Sequence, residues 1–246
     1  GRRVAAVMPV QALGTPADMD ALVPLARDHG LPVVADAAAA LGACCRGRPV
    51  GSLGADLSVF SFNGNKTVTA GGGGAVTGPD PALLARVRHL TTTARCGPGY
   101  THDEAGFNYR MTALQAAVGC AQMERLPDFL ARKRTIAARY AAAAGAVPGL
   151  HPFTVPPWAV SAHWLSGLHL DPVAHPDPGV VHDSLRAAGV DARPFWKPVH
   201  LQPPYADCPR GPLPVSEAVW AHVLPLPSSN GLTDAELDTV EAALRR

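Results

Sequence analysis

The sequence predicts an α/β protein with a mostly parallel sheet, followed by a smaller α+β domain. Short apolar runs alternate with segments of helical periodicity, which is the pattern of βαβ units. At 246 residues and 47% hydrophobic, the chain can bury a substantial core. The composition becomes rich in proline around residues 147–157. We therefore expect a large domain over residues 1–148 and a small C-terminal α+β domain over 149–246.

The first βαβ unit can be followed along the chain. Residues 4–10 form an apolar run, and Thr15 precedes a proline and an acid, as the N-cap of a helix would. Helical spacing continues to Gly30, and a second apolar run over 31–35 ends at Asp36. In parallel sheets, ligands bind outside the carboxyl ends of the strands. Asp36 occupies such a position, and so does the loop that follows Phe62.

The remaining elements are predicted from the same patterns. Residues 37–42 read as a short helix, 59–62 as a buried strand, and 75–77 as a second strand after four consecutive glycines. Further helices are expected at 80–90, 111–126, 127–144, 180–188 and 234–244, strands at 163–170 and 190–199, and an exposed loop at 95–104.

The net charge, the cysteines and the lengths of the apolar runs disfavour several classes of function. A net charge of +1 gives no electrostatic footprint for nucleic acid or an anionic membrane. The five cysteines are odd in number, scattered, and form no CxxC pair, so a disulfide framework and a zinc site are both disfavoured. No apolar run is long enough to span a membrane. These features favour a cytoplasmic protein with no metal and with neither nucleic acid nor membrane as a partner.

Lys66 is the residue that most needs an explanation. Of 21 lysines and arginines, three are lysines, and one of these lies in the polar loop between a buried strand and the glycine run. Arginine cannot lose its proton in a protein, whereas a partly desolvated lysine can, and it can then form a Schiff base. The alternative is an ordinary solvated loop lysine.

Three kinds of site compete for this loop. A phosphate-binding P-loop requires a glycine directly before the lysine, where Asn65 stands. A dinucleotide loop joins a strand to a helix, whereas these glycines precede a strand. A pyridoxal phosphate site requires a lysine, a carboxylate for the pyridine nitrogen and small donors for the phosphate. Lys66, Asp36 and Ser61 supply those groups, although Asp36 could instead cap a helix and Ser61 could be an ordinary strand serine.

Four segments carry a resemblance to a known family. They are residues 33–76, which include SFNGNK and the glycine run, and residues 106–119, 124–134 and 192–203. Together they resemble the DegT/DnrJ/EryC1/StrS sugar aminotransferases, which have fold type I and depend on pyridoxal phosphate. The motif is most similar to the enzymes that aminate the 4-keto group of nucleotide-linked 6-deoxy sugars.

The resemblance implies roles for five residues. Lys66 would form the internal aldimine and move the proton, Asp36 would pair with the pyridine nitrogen, and Ser61 would hold the phosphate. Asn108 would reach the phosphate in the neighbouring subunit's site, which implies a homodimer. His200 would lie near the nucleotide-linked sugar. The expected reaction is transfer of an amino group, usually from glutamate, to a nucleotide-linked keto sugar.

Two departures from the family pattern lead to alternatives. Ala39 stands where the family has a polar residue that contacts the ring hydroxyl of the cofactor, and the family's N-terminal segment has no counterpart before Gly1. We therefore expect either a fragment or a truncated paralogue, with an apolar sheet edge exposed. The alternatives to a sugar aminotransferase are a catalytically incompetent partner subunit and a different fold-type I pyridoxal phosphate enzyme.

Overall fold

The computed structural model describes residues 3–245 and separates them into two compact units. The first comprises the chain up to residue 131 together with 155–164, and the second comprises 132–154 together with the chain from 165 onward. This division places residues 132–148 with the C-terminal part of the chain. The domain boundary between residues 148 and 149 stays a prediction.

The strands are short, and most of the helices are of ordinary length. The strands are β1 (Val34–Asp36), β2 (Cys44–Cys45), β3 (Arg48–Pro49), β4 (Leu57–Ser61), β5 (Gly74–Thr77), β6 (Arg95–Cys96), β7 (Thr101–His102), β8 (Leu150–Pro152), β9 (Ala159–Val160), β10 (Gly167–Leu170) and β11 (Val223–Pro225). The α-helices are α1 (Met19–Asp28), α2 (Pro81–Thr91), α3 (Ala113–Glu124), α4 (Leu126–Ala144), α5 (Pro178–Ala187), α6 (Pro214–Val219) and α7 (Asp234–Leu244).

The main sheet of the first unit confirms the predicted parallel arrangement around β1. Strands β1 and β4 pair in parallel, and β5 pairs antiparallel to β4. On the other side of β1, Val7 and Val10 make parallel bridges to Val33 and Asp36. Residues 4–10 do not form the continuous strand that the apolar run predicts, because Pro9 lies between the two bridges and has no N–H to donate.

Alpha-helix α1 begins at Met19, later than the predicted start after Thr15. The Thr15 hydroxyl does not cap the helix and instead donates a hydrogen bond to Ser161 Oγ at 3.0 Å. Residues 37–42 form turns, not a helix, since the Asp36 carboxylate accepts a hydrogen bond from the Ala38 N–H at 3.0 Å. Two predicted elements at the start of the chain are therefore corrected, one by a long-range and one by a local side-chain hydrogen bond.

The second unit has its own sheet and core. Strand β10 lies between β8 and β11 and pairs antiparallel with both. Strand β10 covers only residues 167–170 of the predicted strand 163–170, and α7 has the predicted bounds. Residues 190–199 form no strand, because Pro194 and Pro198 remove the N–H donors that a ladder requires. The core consists of Ile136, Tyr140, Ala143, Ala144, Leu150, Leu168, Leu170, Leu185, Val190, Ala192, Leu224, Leu226, Leu237, Val240, Ala243 and Leu244.

Two general properties bear on function. None of the helices among residues 3–245 is long and apolar enough to cross a membrane. The cysteines are all free: Cys45 is buried, Cys44 is half-buried, and the others are exposed.

Candidate active site

Asp36 and Ser61 end two neighbouring parallel strands. Asp36 is the last residue of β1 and lies opposite Val59 in the register, two positions before Ser61 at the end of β4. Because the carboxyl ends of parallel strands meet at one edge of a sheet, a carboxylate and a hydroxyl are brought to the same edge. The two residues are half-buried there.

The loop after β4 presents Lys66 beside this edge. The Lys66 N–H donates a hydrogen bond to the Asn63 carbonyl at 3.0 Å, which closes a turn. The Ser61 hydroxyl accepts from the Asn63 N–H at 3.2 Å, and the Ala70 N–H donates to the Phe62 carbonyl at 2.9 Å. These bonds tie both ends of the loop to the strand, so the position of Lys66 is set by backbone contacts.

The environment of Lys66 changes its proton affinity. Burial of the ammonium group lowers the pKa of Lys66 below its ordinary value, and the negative charge of Asp36 opposes this by favouring the charged form. Lowering the pKa increases the fraction of amine that is neutral and nucleophilic at a given pH. The two residues therefore lie close enough for the charge of Asp36 to act on Lys66, and their roles in a common site stay a prediction.

Trp164 lies against Lys66, and the sequence patterns did not identify it. The Lys66 Nζ atom is 3.4 Å from the centroid of the Trp164 ring. The indole Nε1–H donates a hydrogen bond to the Asn65 carbonyl at 2.8 Å. The sequence predicted that Trp164 belongs to a strand over 163–170. In the structure this strand begins only at Gly167, and His163, directly before Trp164, has a positive φ of 47°.

The glycine run next to the loop has a packing role. Gly73 has a φ of +82°, and a Cβ there would lie 2.8 Å from Met111 Sδ. A Cβ on Gly74 would overlap the Phe60 carbonyl oxygen. Glycine is therefore required because β5 and the chain before it approach their neighbours closely.

Asn108 lies on the surface of the first unit. It forms an antiparallel bridge with Thr92, and its neighbours Phe107 and Tyr109 are exposed and stacked, with ring centroids 5.1 Å apart. Leu114 and Val118, four positions apart on α3, are also exposed apolar residues. The segment thus presents one amide among several solvent-exposed apolar side chains.

His200 belongs to the second unit. It lies in a short 3₁₀ helix over Val199–Leu201, and its Nε2 atom is 3.0 Å from Glu217 Oε1. The His200 side chain is only 11% exposed, so the carboxylate holds a largely shielded imidazole. Its predicted role near a nucleotide-linked sugar stays a prediction.

A separate polar cluster lies where α2 meets the hairpin of β6 and β7. His89, Cys96 and Asp103 have side-chain ligand atoms within 4.8 Å of one another. His89 Nε2 lies 2.7 Å from Asp103 Oδ1, and the hydrogen bond between Cys96 and Asp103 raises the pKa of the thiol. Because these groups hydrogen-bond to one another, we assign the cluster a structural role in joining α2 to the hairpin.

The groups at the sheet edge meet the chemical requirements of a pyridoxal phosphate site. Lys66 provides an amine whose neutral form is favoured by burial, and Asp36 provides a carboxylate whose field reaches that amine. Ser61 provides a hydroxyl at the end of the adjacent strand. An amine, a carboxylate and a hydroxyl are the functions that hold the aldehyde, the pyridine nitrogen and the phosphate of this cofactor.

The fold is that of an α/β protein in which Asp36 and Ser61 end neighbouring strands at the carboxyl edge of the sheet, with Lys66 in the loop beside them. The chain belongs to the DegT/DnrJ/EryC1/StrS aminotransferase family, whose sequence profile matches residues 1–245. The family prediction is thereby confirmed.

Two relatives illustrate the similarity in sequence. The chain is 38% identical to GDP-perosamine synthase of Caulobacter vibrioides, over 98% of this chain and 66% of the relative. It is 37% identical to dTDP-3-amino-3,4,6-trideoxy-alpha-D-glucose transaminase of Streptomyces venezuelae, over 92% of this chain and 59% of the relative. The chain thus spans between half and two thirds of the length of the curated relatives it matches.

Solved structures confirm the predicted fold class. The crystal structure of DesV from S. venezuelae, in complex with a ketimine intermediate, matches with a TM-score of 0.90 and 34% identity, over 100% of this chain and 65% of that one. The aminotransferase TlmJ from Streptoalloteichus hindustanus matches with a TM-score of 0.91 and 30% identity, over 100% and 66%. The described chain therefore has the fold-type I architecture of these aminotransferases.

Proposed function

We propose that this chain transfers an amino group from an α-amino acid such as glutamate to a nucleotide-linked keto sugar, with pyridoxal phosphate as cofactor. The observation that carries the proposal is the half-buried Lys66 amine, which lies within the field of Asp36 at the carboxyl edge of the sheet. Family membership and relatives named as a GDP-sugar synthase and a dTDP-sugar transaminase support the same reaction class.

Three residues would hold the cofactor. Lys66 would bond covalently to its aldehyde carbon, Asp36 would keep the pyridine nitrogen protonated, and Ser61 would donate a hydrogen bond to the phosphate. When bound, pyridoxal phosphate acts as an electron sink that makes a carbon next to the amine acidic. Ala39, three positions after Asp36, has no side-chain group that could hydrogen-bond to the ring hydroxyl of the cofactor.

Lys66 would also transfer the proton in each half of the reaction. With its amine not bonded to the cofactor, Lys66 Nζ would accept a proton from one carbon and return it to another. A lysine with a lowered pKa suits this task, because a larger fraction of it is neutral before it accepts the proton.

The test supplies both substrates separately. The purified chain is incubated with pyridoxal phosphate and glutamate, and the 2-oxo acid is measured; a GDP-linked or a dTDP-linked keto sugar is then added, and the amino sugar is detected by mass spectrometry. We expect the oxo acid first and one amino sugar second. Production of neither, by a folded chain, would contradict the proposal and favour the alternative of a partner subunit without its own activity.

We further propose that two copies of the chain associate and that Asn108 completes the partner's site. The exposed Phe107, Tyr109, Leu114 and Val118 support this, since such side chains around one amide are typical of a surface covered by another chain. Light scattering should give the mass of a dimer for the chain and a smaller mass for Leu114→Glu. A monomeric mass for the unaltered chain at assay concentration would contradict the proposal.

His200 would contact the nucleotide-linked sugar. Its imidazole is oriented by the Glu217 carboxylate, 3.0 Å away, which is how an imidazole is held in a defined tautomer. With Nε2–H donating to this carboxylate, Nδ1 is left as an acceptor for a sugar hydroxyl. The role is supported by position in the family motif and by this fixed orientation.

A further inference from the structure

We infer that Trp164 is a positioning residue that holds the charged Lys66 amine against its indole face whenever that amine is not bonded to the cofactor. The inference rests on the proposed function for its meaning in the reaction, but the contact can be tested without cofactor. It adds Trp164, and a cation–π interaction, to the proposed site of Asp36, Ser61 and Lys66.

The geometry is that of a close cation–π contact. Lys66 Nζ lies 3.4 Å from the ring centroid of Trp164, well inside the distance of about 6 Å at which the attraction is significant. Tryptophan is the side chain that gives the strongest attraction of this kind. Partial burial of Lys66 removes competing water, and this makes the attraction stronger than at an exposed site.

The indole ring is itself fixed in place. Its Nε1–H donates to the carbonyl of Asn65, the residue directly before Lys66, and the Trp164 residue is only 6% exposed. The backbone at Trp164 also packs closely on Gly14, where a Cβ would lie 2.9 Å from the Trp164 nitrogen. The ring and the lysine backbone are therefore tied to one another, so that the ring face stays under the amine.

Three influences on the Lys66 charge can be separated. Burial disfavours the ammonium form, whereas Asp36, from the end of β1, favours it through its negative charge. The Trp164 ring, from the chain segment before β10, also favours the ammonium form. The side chains of Asn63 and Asn65, in the loop that carries Lys66, are neutral amides and add no further charge.

The contact would matter most after Lys66 has accepted a proton. When Asp36 pairs with a protonated pyridine nitrogen, its charge is compensated and its effect on Lys66 decreases. The indole face would then stabilise the ammonium group and keep Nζ in a fixed position for the return of the proton. Trp164 would thus strengthen Lys66 as a base.

The experiment measures amine reactivity in the absence of cofactor. The chain is labelled with acetic anhydride over a range of pH, and acetylation is measured by peptide mass spectrometry at Lys66, at exposed Lys197 and at buried Lys133. Only a neutral amine reacts, so each labelling profile reports the balance between neutral and charged lysine. Lys133, whose pKa burial lowers to about 8, also reports whether its part of the chain remains folded.

The variants are Trp164→Leu, Trp164→Phe and, as a matched control, Trp158→Leu. Trp158 lies in the same unit and contacts Arg46 at 5.1 Å, so its loss removes a similar contact elsewhere. At a pH where Lys66 is mostly charged, Trp164→Leu should raise its labelling relative to Lys197 roughly 2- to 30-fold. Trp164→Phe should raise it less, and Trp158→Leu should leave it unchanged.

The outcomes are separable from those of the proposed function. A labelling profile that moves to lower pH in Trp164→Leu, with the plateau at high pH unchanged, supports the inference even if no amino transfer is found. An unchanged profile, or one that moves to higher pH, would overturn it even in an active aminotransferase. If Trp164→Leu does not fold, Trp164→Phe decides the question, since a profile identical to that of the unaltered chain would overturn the inference.

Discussion

Lys66→Ala is expected to abolish covalent retention of pyridoxal phosphate and to reduce amino transfer by at least about 10²- to 10⁴-fold, the usual contribution of a positioned proton-transfer group. The variant removes both the amine that bonds to the cofactor and the atom that moves the proton. The measurement is the rate of 2-oxo acid formation from glutamate, with cofactor content determined in the same sample. Because Lys66 is half-buried in a loop fixed by backbone hydrogen bonds, the fold should survive.

Two controls make this result specific. Lys197→Ala removes an exposed lysine and should change neither cofactor content nor rate. Lys66→Arg keeps a positive charge over the Trp164 ring but cannot lose its proton, so it should be as inactive as Lys66→Ala. An active Lys66→Arg variant would show that the positive charge at this position, and not the amine, is what the reaction needs.

Asp36→Asn is expected to have the second-largest effect. Asparagine can still accept the hydrogen bond from the Ala38 N–H, so the turn after β1 should be preserved. It carries no charge, however, and would leave a protonated pyridine nitrogen without its partner. Loss of one member of such a shielded charge pair should weaken the interaction roughly 30- to 5,000-fold, which would appear as lower cofactor affinity and a slower rate.

The same substitution has a second consequence that can be measured independently. The Asp36 charge favours the ammonium form of Lys66, so its removal should lower the pKa of Lys66 further and increase labelling of the neutral amine. Asp80→Asn is the matched control, because Asp80 is an exposed N-cap whose function asparagine retains. Equal effects of the two substitutions on cofactor affinity would contradict the role given to Asp36.

The elements that the sequence predicted correctly depend on local patterns. The alternation of apolar runs and helical segments predicted a parallel sheet, and β1 and β4 pair in parallel. The same pattern predicted that Asp36 lies at the end of a strand, as it does at the end of β1. Lys66 stood out because lysine is rare in this chain. Burial lowers the pKa of Lys66, in the direction expected for a lysine next to apolar residues.

The features that were missed depend on contacts between distant residues. Trp164 and Asn65 are 99 positions apart in the sequence, and no period or motif joins them. Thr15 had the right neighbours for an N-cap, but a hydrogen bond to Ser161, 146 positions away, takes its hydroxyl. The sequence pattern indicated no role for the glycine run beyond preceding a strand, whereas its close contacts with Phe60 and Met111 show a packing requirement.

The role of Lys66 is tested most directly by identifying the residue that bonds to pyridoxal phosphate. The chain is mixed with the cofactor, reduced with borohydride and digested, and the three lysine-containing positions are examined by mass spectrometry. We expect a phosphopyridoxyl group on Lys66 and none on Lys133 or Lys197. Modification spread over all three lysines, or confined to Lys197, would contradict the claim that Lys66 is the centre of a cofactor site.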